Sequence, residues 1–309
     1  MSAGKTALVF PGQGSQSVGM GKDLFDRSPE SRAVFEEADK TLGFPLSRVC
    51  FEGPEEELKK TLVTQPAILT ASVAALVAAR KRLSFEGVAG HSLGAYTALV
   101  ASGVLTFGDA VVLVRRRGEL MEEAGKGRGT MAVILNLEEE KVRQACREAS
   151  TLGVVEPANL NCPGQIVISG EKAAVAAACE KAKALGAKRA VELPVGGPFH
   201  SSLMGPAVDG LRKALEKAAF TTPRVVYYSD IDAVEMKESA AIAESLARQL
   251  TQPVRWTQVI QRMMEDGYST FIEVGPGKVL GGLIKKISKD AQVLNAGDFP
   301  AVEAGGKAP

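Results

Sequence analysis

The chain has 309 residues, 45% hydrophobic and 24% charged, which excludes extensive disorder and suits about two domains. Lys+Arg number 37 against Asp+Glu 36, a net charge of +1, too small for a general nucleic-acid or membrane-surface footprint. An anion must therefore be held by a few placed residues.

Thr6 to Phe10 reads as a short buried strand that runs into the turn-rich Pro11-Gly-Gln-Gly-Ser-Gln16. Pro66 stands where a first helical residue belongs, and the Ala, Leu and Val that follow to Ala79 predict a buried helix. The apolar run from Ala67 to Ala79 falls short of the roughly 18 residues of a membrane span. Val88-Ala-Gly-His-Ser-Leu-Gly94 reads as a strand end, a tight turn and a helix start, with Gly103 closing that helix. A further helix is expected from Phe107 to Ala124.

Residues 130 to 195 follow a different order. Strands are predicted at Met131 to Leu137, Val154 to Leu160, Gln165 to Ser169 and Lys188 to Val195, with helices at Glu138 to Ser150 and Glu171 to Leu185. That βαββαβ order is the ferredoxin-like unit. Beyond it come a helix from Leu203 to Phe220, a strand at Arg224 to Tyr228, a helix from about Lys237 to Leu250 and a strand at Thr270 to Val274. The expected class is α/β. A large α/β-hydrolase-like domain with a mostly parallel sheet comprises residues 1–129 and 196–300, a ferredoxin-like subdomain at 130–195 is inserted in it, and 301–309 form a flexible tail.

Gly90-His-Ser-Leu-Gly94 fits the G-x-S-x-G nucleophile elbow, a strained strand-to-helix turn that exposes a serine hydroxyl. The alternative is an ordinary glycine-rich turn. Ser92 needs a base, and the chain has only two histidines. His91 adjoins the serine on the elbow and should point away, which leaves His200 in Gly196-Gly-Pro-Phe-His-Ser-Ser202. No acidic residue between the elbow and His200 is marked as an orienter, so a free carbonyl at a helix C-terminus, such as that near Gln249-Leu-Thr-Gln-Pro253, is the substitute.

Ala110, Leu113, Val114, Leu120, Met121 and Ala124 form an apolar helical stripe with Arg117 in its middle. Arg115 and Arg116 project to other faces as solvated charges. A buried guanidinium requires a partner, either an internal Asp or Glu or a substrate carboxylate. The Pro11 to Gln16 loop lacks the third glycine of a dinucleotide site. It is better placed to give a second oxyanion N–H from Gln13 or a neighbour, alongside that of Leu93, unless it is a plain turn. Two distant histidines and scattered cysteines argue against a metal site, and 5% aromatics against a base-stacking surface. Cys50, Cys146, Cys162 and Cys179 contain no C-x-x-C pair, which fits a reducing compartment and a cytoplasmic location.

These residues, together with Phe10-Pro-Gly-Gln-Gly-Ser-Gln16, Thr64-Gln-Pro66, Arg117-Gly118, Pro163-Gly-Gln-Ile-Val-Ile-Ser-Gly170, Phe199-His-Ser201, Arg248-Gln-Leu250, Pro253-Val-Arg-Trp256 and Glu273-Val-Gly-Pro-Gly-Lys278, resemble the malonyl-CoA:acyl carrier protein transacylase family. That family is related to the acyltransferase domains of polyketide synthases. The likeness runs from about residue 8 to 290. It implies Ser92 as acyl-accepting nucleophile, His200 as base, Gln249 as its orienter through the backbone carbonyl, and Gln13 and Leu93 as oxyanion donors. It further implies Arg117 as clamp for the malonyl carboxylate and Phe199 as the mark of malonyl selection. Ala95, where many relatives carry glutamate, and the Gly196-Gly197 pair depart from the common pattern. Malonyl-CoA and acyl carrier protein are the implied substrate and partner, with no cofactor, no metal, no nucleic acid and no membrane, and the chain is expected to be a monomer. Arg115, Arg116, Lys285, Lys286 and Lys289 are candidates for an acidic carrier. The alternatives are a serine esterase or thioesterase, with water as acceptor, and a non-catalytic carrier-docking module.

Overall fold

The computed structural model describes residues 4–303. β1 (Lys5–Phe10) leads through α1 (Lys22–Arg27), α2 (Pro29–Leu42), α3 (Leu46–Glu52) and α4 (Glu55–Leu58) to the long α5 (Thr61–Ala79). β2 (Gly87–Gly90), α6 (Gly94–Ala101) and α7 (Phe107–Gly125) follow. The inserted segment comprises β3 (Thr130–Leu135), α8 (Glu139–Ala149), β4 (Val155–Cys162), β5 (Gln165–Gly170), α9 (Lys172–Ala184) and β6 (Arg189–Glu192). After it come α10 (Gly205–Leu215), β7 (Val226–Tyr228), β8 (Glu235–Met236), α11 (Ser239–Arg248), α12 (Trp256–Glu265), β9 (Tyr268–Val274), α13 (Val279–Ile287), β10 (Gln292–Ala296) and α14 (Phe299–Glu303).

The larger sheet has the order β10-β9-β1-β2-β7-β8. Its first five strands pair in parallel and β8 closes the edge antiparallel. Parallel strands need helical crossovers that cover both faces, and these strands accordingly read as apolar runs; Ala7 to Phe10 are fully buried. The smaller sheet is wholly antiparallel in the order β4-β5-β3-β6, the arrangement of a ferredoxin-like βαββαβ unit. Its strands alternate. Ala132 and Ile134 pack beneath α8 and α9, whereas Met131 and Val133 join the main core. Reciprocal backbone bonds tie β4 to Val254, in the connection between α11 and α12.

Three expectations are corrected. The helix through Pro66 begins at Thr61, five residues earlier, because its missing N–H is compensated from outside. The carbonyl of Leu62, which a non-proline residue would have engaged, accepts from Arg115 Nη1 at 3.1 Å. Arg115 is thus half-buried and also paired with Glu119, rather than freely solvated. The resulting helix is long and apolar enough to cross a membrane, and it lies in the core instead. Ala301 to Glu303 belong to α14, so no flexible tail begins at Ala301, and residues 304–309 lie outside the described residues.

Candidate active site

The elbow is formed where β2 ends and α6 begins. Ser92 adopts φ +51°, a conformation that costs on the order of 1–3 kcal/mol outside glycine. The flanking glycines permit the turn's close packing: a Cβ on Gly90 would meet the Gly94 carbonyl carbon at 1.9 Å, and one on Gly94 would meet Phe10 O at 2.1 Å. The elbow therefore sits directly on the end of β1, and His91 N donates to Phe10 O at 3.0 Å. His91 points away from the Ser92 hydroxyl to Asn161 Oδ1, 2.9 Å distant, with its ring edge on Trp256.

Ser92 Oγ lies 2.7 Å from His200 Nε2. His200 Nδ1 lies 2.8 Å from the backbone carbonyl of Gln249. A carbonyl only accepts, so Nδ1 carries the proton and Nε2 is left to accept from the serine hydroxyl. Gln249 follows the last residue of α11, where helical carbonyls lack intrahelical partners. Burial, and then the neighbouring Arg117 charge, hold the imidazole at about 3, far below its ordinary value. His200 is therefore neutral and able to take a proton. The loop carrying it also has positive φ at His200, +59°. Gly197 packs there against Gly125, where a Cβ would lie 2.8 Å from the Gly125 Cα, so the absence of a side chain at Gly197 lets the loop seat on the end of α7.

Arg117 is 1% exposed. Its Nη2 donates to Ser92 Oγ and to Gln249 Oε1, both at 3.0 Å, and its Nη1 donates to Gln65 Oε1 at 2.7 Å. Nε has no partner. No Asp or Glu oxygen among the described residues lies within ion-pair distance of it, and burial lowers its pKa. Of the two partners expected for this guanidinium, an internal carboxylate in direct contact is thus absent among the described residues.

A cavity of about 310 Å³ opens onto Ser92, His200 and Arg117, with Gln13 and Phe199 in its lining. The backbone N–H groups of Gln13 and Leu93 donate to no group among the described residues, which leaves them free for an oxyanion. Met131, Val133 and Val167 of the smaller sheet supply apolar wall.

The sequence assigns no role to two residues of this network, although one of them lies within the Thr64-Gln-Pro66 match. Gln65 is fully buried against Arg117, and its neighbour Pro66 drew attention to a helix boundary instead. Asp230, 2% exposed, accepts from Ser92 N at 2.8 Å and from Gln249 Nε2 at 2.9 Å. It stands in Ser229-Asp-Ile-Asp232, which reads as a solvated turn. The basic candidates divide. Arg115 and Arg116 share Glu119, while Lys285 and Lys286 end α13, whose first turn borders the cavity.

A sequence profile of the acyl transferase domain matches residues 7–298. The chain belongs to the acyl transferase domain family. The malonyl CoA-acyl carrier protein transacylase of Bacillus subtilis (strain 168) is 47% identical over 302 residues, 97% of this chain and 95% of that relative. Among solved structures, the acyl-carrier-protein S-malonyltransferase of Burkholderia pseudomallei 1710b superposes with a TM-score of 0.95 at 44% identity, covering 98% of this chain and 100% of that one. The complex of the malonyl-transacylase PlMCAT with the type II PKS acyl-carrier protein AntF gives 0.95 at 43% identity, covering 98% and 99%. As an acyltransferase, the chain presents a serine hydroxyl, a neutral base and a buried cation within one cavity.

Proposed function

We propose that this acyltransferase moves the malonyl group of malonyl-CoA to the phosphopantetheine thiol of acyl carrier protein, through a malonyl ester on Ser92, to supply fatty-acid synthesis. The observation that carries this reading is Arg117. A fully buried guanidinium 3.0 Å from the nucleophile, bonded only to neutral oxygens, has capacity left for a carboxylate, and its planar fork suits one. The relatives' names agree with that choice of acyl group.

In the first half-reaction His200 Nε2 takes the Ser92 proton as Oγ bonds to the thioester carbon. The N–H groups of Gln13 and Leu93 hold the developing oxyanion. The carbon–sulfur bond then breaks, and coenzyme A leaves with the proton from His200. In the second half, the carrier thiol gives its proton to His200 and its sulfur attacks the ester carbon. The ester bond breaks and Ser92 regains the proton. Gln249 fixes the imidazole through its carbonyl, and Phe199 borders the space beside the malonyl group. The scheme needs no cofactor, since malonyl-CoA and phosphopantetheine are substrates, and we place the chain in the cytoplasm as a monomer. Lys285 and Lys286 stand near the cavity to meet an acidic carrier.

The test separates donor from acceptor. Malonyl-loaded protein, freed of coenzyme A, is mixed with acyl carrier protein bearing phosphopantetheine, and both masses are followed. Transfer of one malonyl group to the carrier is expected; release of free malonate at the same rate with and without carrier would make the chain a hydrolase.

A further inference from the structure

The base of this site leans on a carbonyl, yet a carboxylate lies one residue contact away from it. Asp230 follows β7, the strand beside β2, so it emerges at the same end of the sheet as the elbow. Its Oδ2 accepts the Ser92 backbone N–H at 2.8 Å. Both carboxylate oxygens lie 2.9 Å from Gln249 Nε2, and the same amide nitrogen donates to the Ser92 carbonyl at 3.0 Å. Gln249 meanwhile gives its Oε1 to Arg117 and its backbone carbonyl to His200.

We infer that Asp230 is a positioning residue for the reaction, which holds the strained Ser92 turn directly and sets the Gln249 contacts to His200 and Arg117 from behind. Hydrogen-bond directionality decides this arrangement. The Gln249 amide has one acceptor oxygen and one donor nitrogen, and which end meets Arg117 is decided by what the other end meets. A carboxylate accepts only, so it forces the –NH2 of Gln249 toward itself and the carbonyl oxygen toward the guanidinium. The Ser92 N–H pinned to the same carboxylate keeps the backbone at φ +51°, a strained geometry that persists only where its surroundings over-determine it. Asp230 also offsets the buried charge of Arg117, which has no direct carboxylate partner. A triad acid would contact the imidazole itself; here the acid fixes the frame on which the imidazole and the nucleophile rest.

Burial raises the Asp230 carboxyl to about 6, against the opposing pull of the Gln249 and Ser92 N–H groups and of Arg117. Facing it are Arg117 on α7, Tyr96 on α6 and Tyr227 on β7. A proton on Asp230 removes one acceptor and adds a donor aimed at Gln249 or Ser92, both already donating. Reactivity of Ser92 should then fall through that pH while His200 is still neutral.

This role assumes Ser92–His200 chemistry but not a malonyl donor, and the probe is chosen accordingly. An alkyl fluorophosphonate bonds Ser92 Oγ to phosphorus, expels fluoride and leaves the proton on His200; having no carboxylate, it needs no clamp. Labelling is followed by intact mass from pH 5 to 8 for the unaltered chain, Asp230→Asn and Asp230→Ser, with thermal melting alongside. Serine leaves room for a water and guards against one misfolding substitution. The expected result is a labelling rate at pH 8 lower by on the order of 10- to 100-fold in a folded variant, and loss in that variant of the fall through about pH 6 shown by the unaltered chain. A folded variant labelling within about twofold of the unaltered chain, or keeping the same acid limb, overturns the role. Should the unaltered chain take up no malonyl group while the variants still lose labelling, the malonyl reading fails and Asp230 keeps its role.

Discussion

Both sheets border one cavity, and they bring different chemistry to it. Ser92 leaves a strand end of the parallel sheet, Arg117 stands on α7 and Gln249 just past the end of α11, and all three meet in one hydrogen-bonded cluster with Asp230. The antiparallel sheet faces the same space with Met131, Val133 and Val167. Parallel strands end together on one side, so groups just beyond them converge. A two-faced antiparallel sheet spends one face on its own helices and offers the other as apolar wall. Position of charge and shape of space are thus assigned to different architectures, with the His200 loop between them.

Substitutions on the two sides should therefore fail in different ways. His200→Ala removes the base and should lower the rate of acylation by about 10²–10⁴-fold, read as the rate of malonyl-enzyme formation at saturating malonyl-CoA. Arg117→Ala should lower the preference for malonyl-CoA over acetyl-CoA by on the order of 100-fold, because the substrate carboxylate loses its partner; competing the two donors and weighing the acyl-enzyme gives the ratio directly.

The pH response sharpens the same contrast. His200 is held at about 3 in the folded chain, so between its ordinary value of 6.5 and that value the folded state binds fewer protons than the unfolded state. Stability must then fall as pH falls. Urea unfolding at pH 7 and pH 5 should show the unaltered chain losing roughly 2 kcal/mol more than His200→Gln. The opposite contribution from Asp230, whose raised carboxyl gains its proton in the folded state, is common to both chains and cancels. The smallest effect belongs to the apolar wall: Val133→Ala should raise KM for malonyl-CoA by no more than about threefold and leave kcat unchanged. A Val133→Ala loss confined to kcat would mean that the smaller sheet shares in the chemistry.

Much of the site was legible because its residues break a local rule. A serine between glycines at a strand-to-helix turn, and an arginine inside an apolar helical stripe, each contradict their surroundings and so stand out. His200 was reached by scarcity of histidines; the need of its ring called for a free carbonyl at a helix end, and the family resemblance alone singled out Gln249. Asp230 contradicts nothing locally, since an aspartate among turn residues is usually solvated. Its burial follows only from β7 lying beside β2, a pairing between segments about 140 residues apart. The start of α5 was obscured for a related reason, because the group that compensates Pro66 is Arg115, from another helix. The strand order of the inserted unit is the arrangement its βαββαβ succession suggests. The α12 and α13 helices were not singled out, though α13 shapes the cavity rim.

A malonyl group resting on Ser92 is the central intermediate, and intact-mass measurement after incubation with malonyl-CoA alone detects it without any acceptor. The unaltered chain should gain the mass of one malonyl group and Ser92→Ala none. An equal adduct on Ser92→Ala, or free malonate accumulating with no adduct on the unaltered chain, would contradict it.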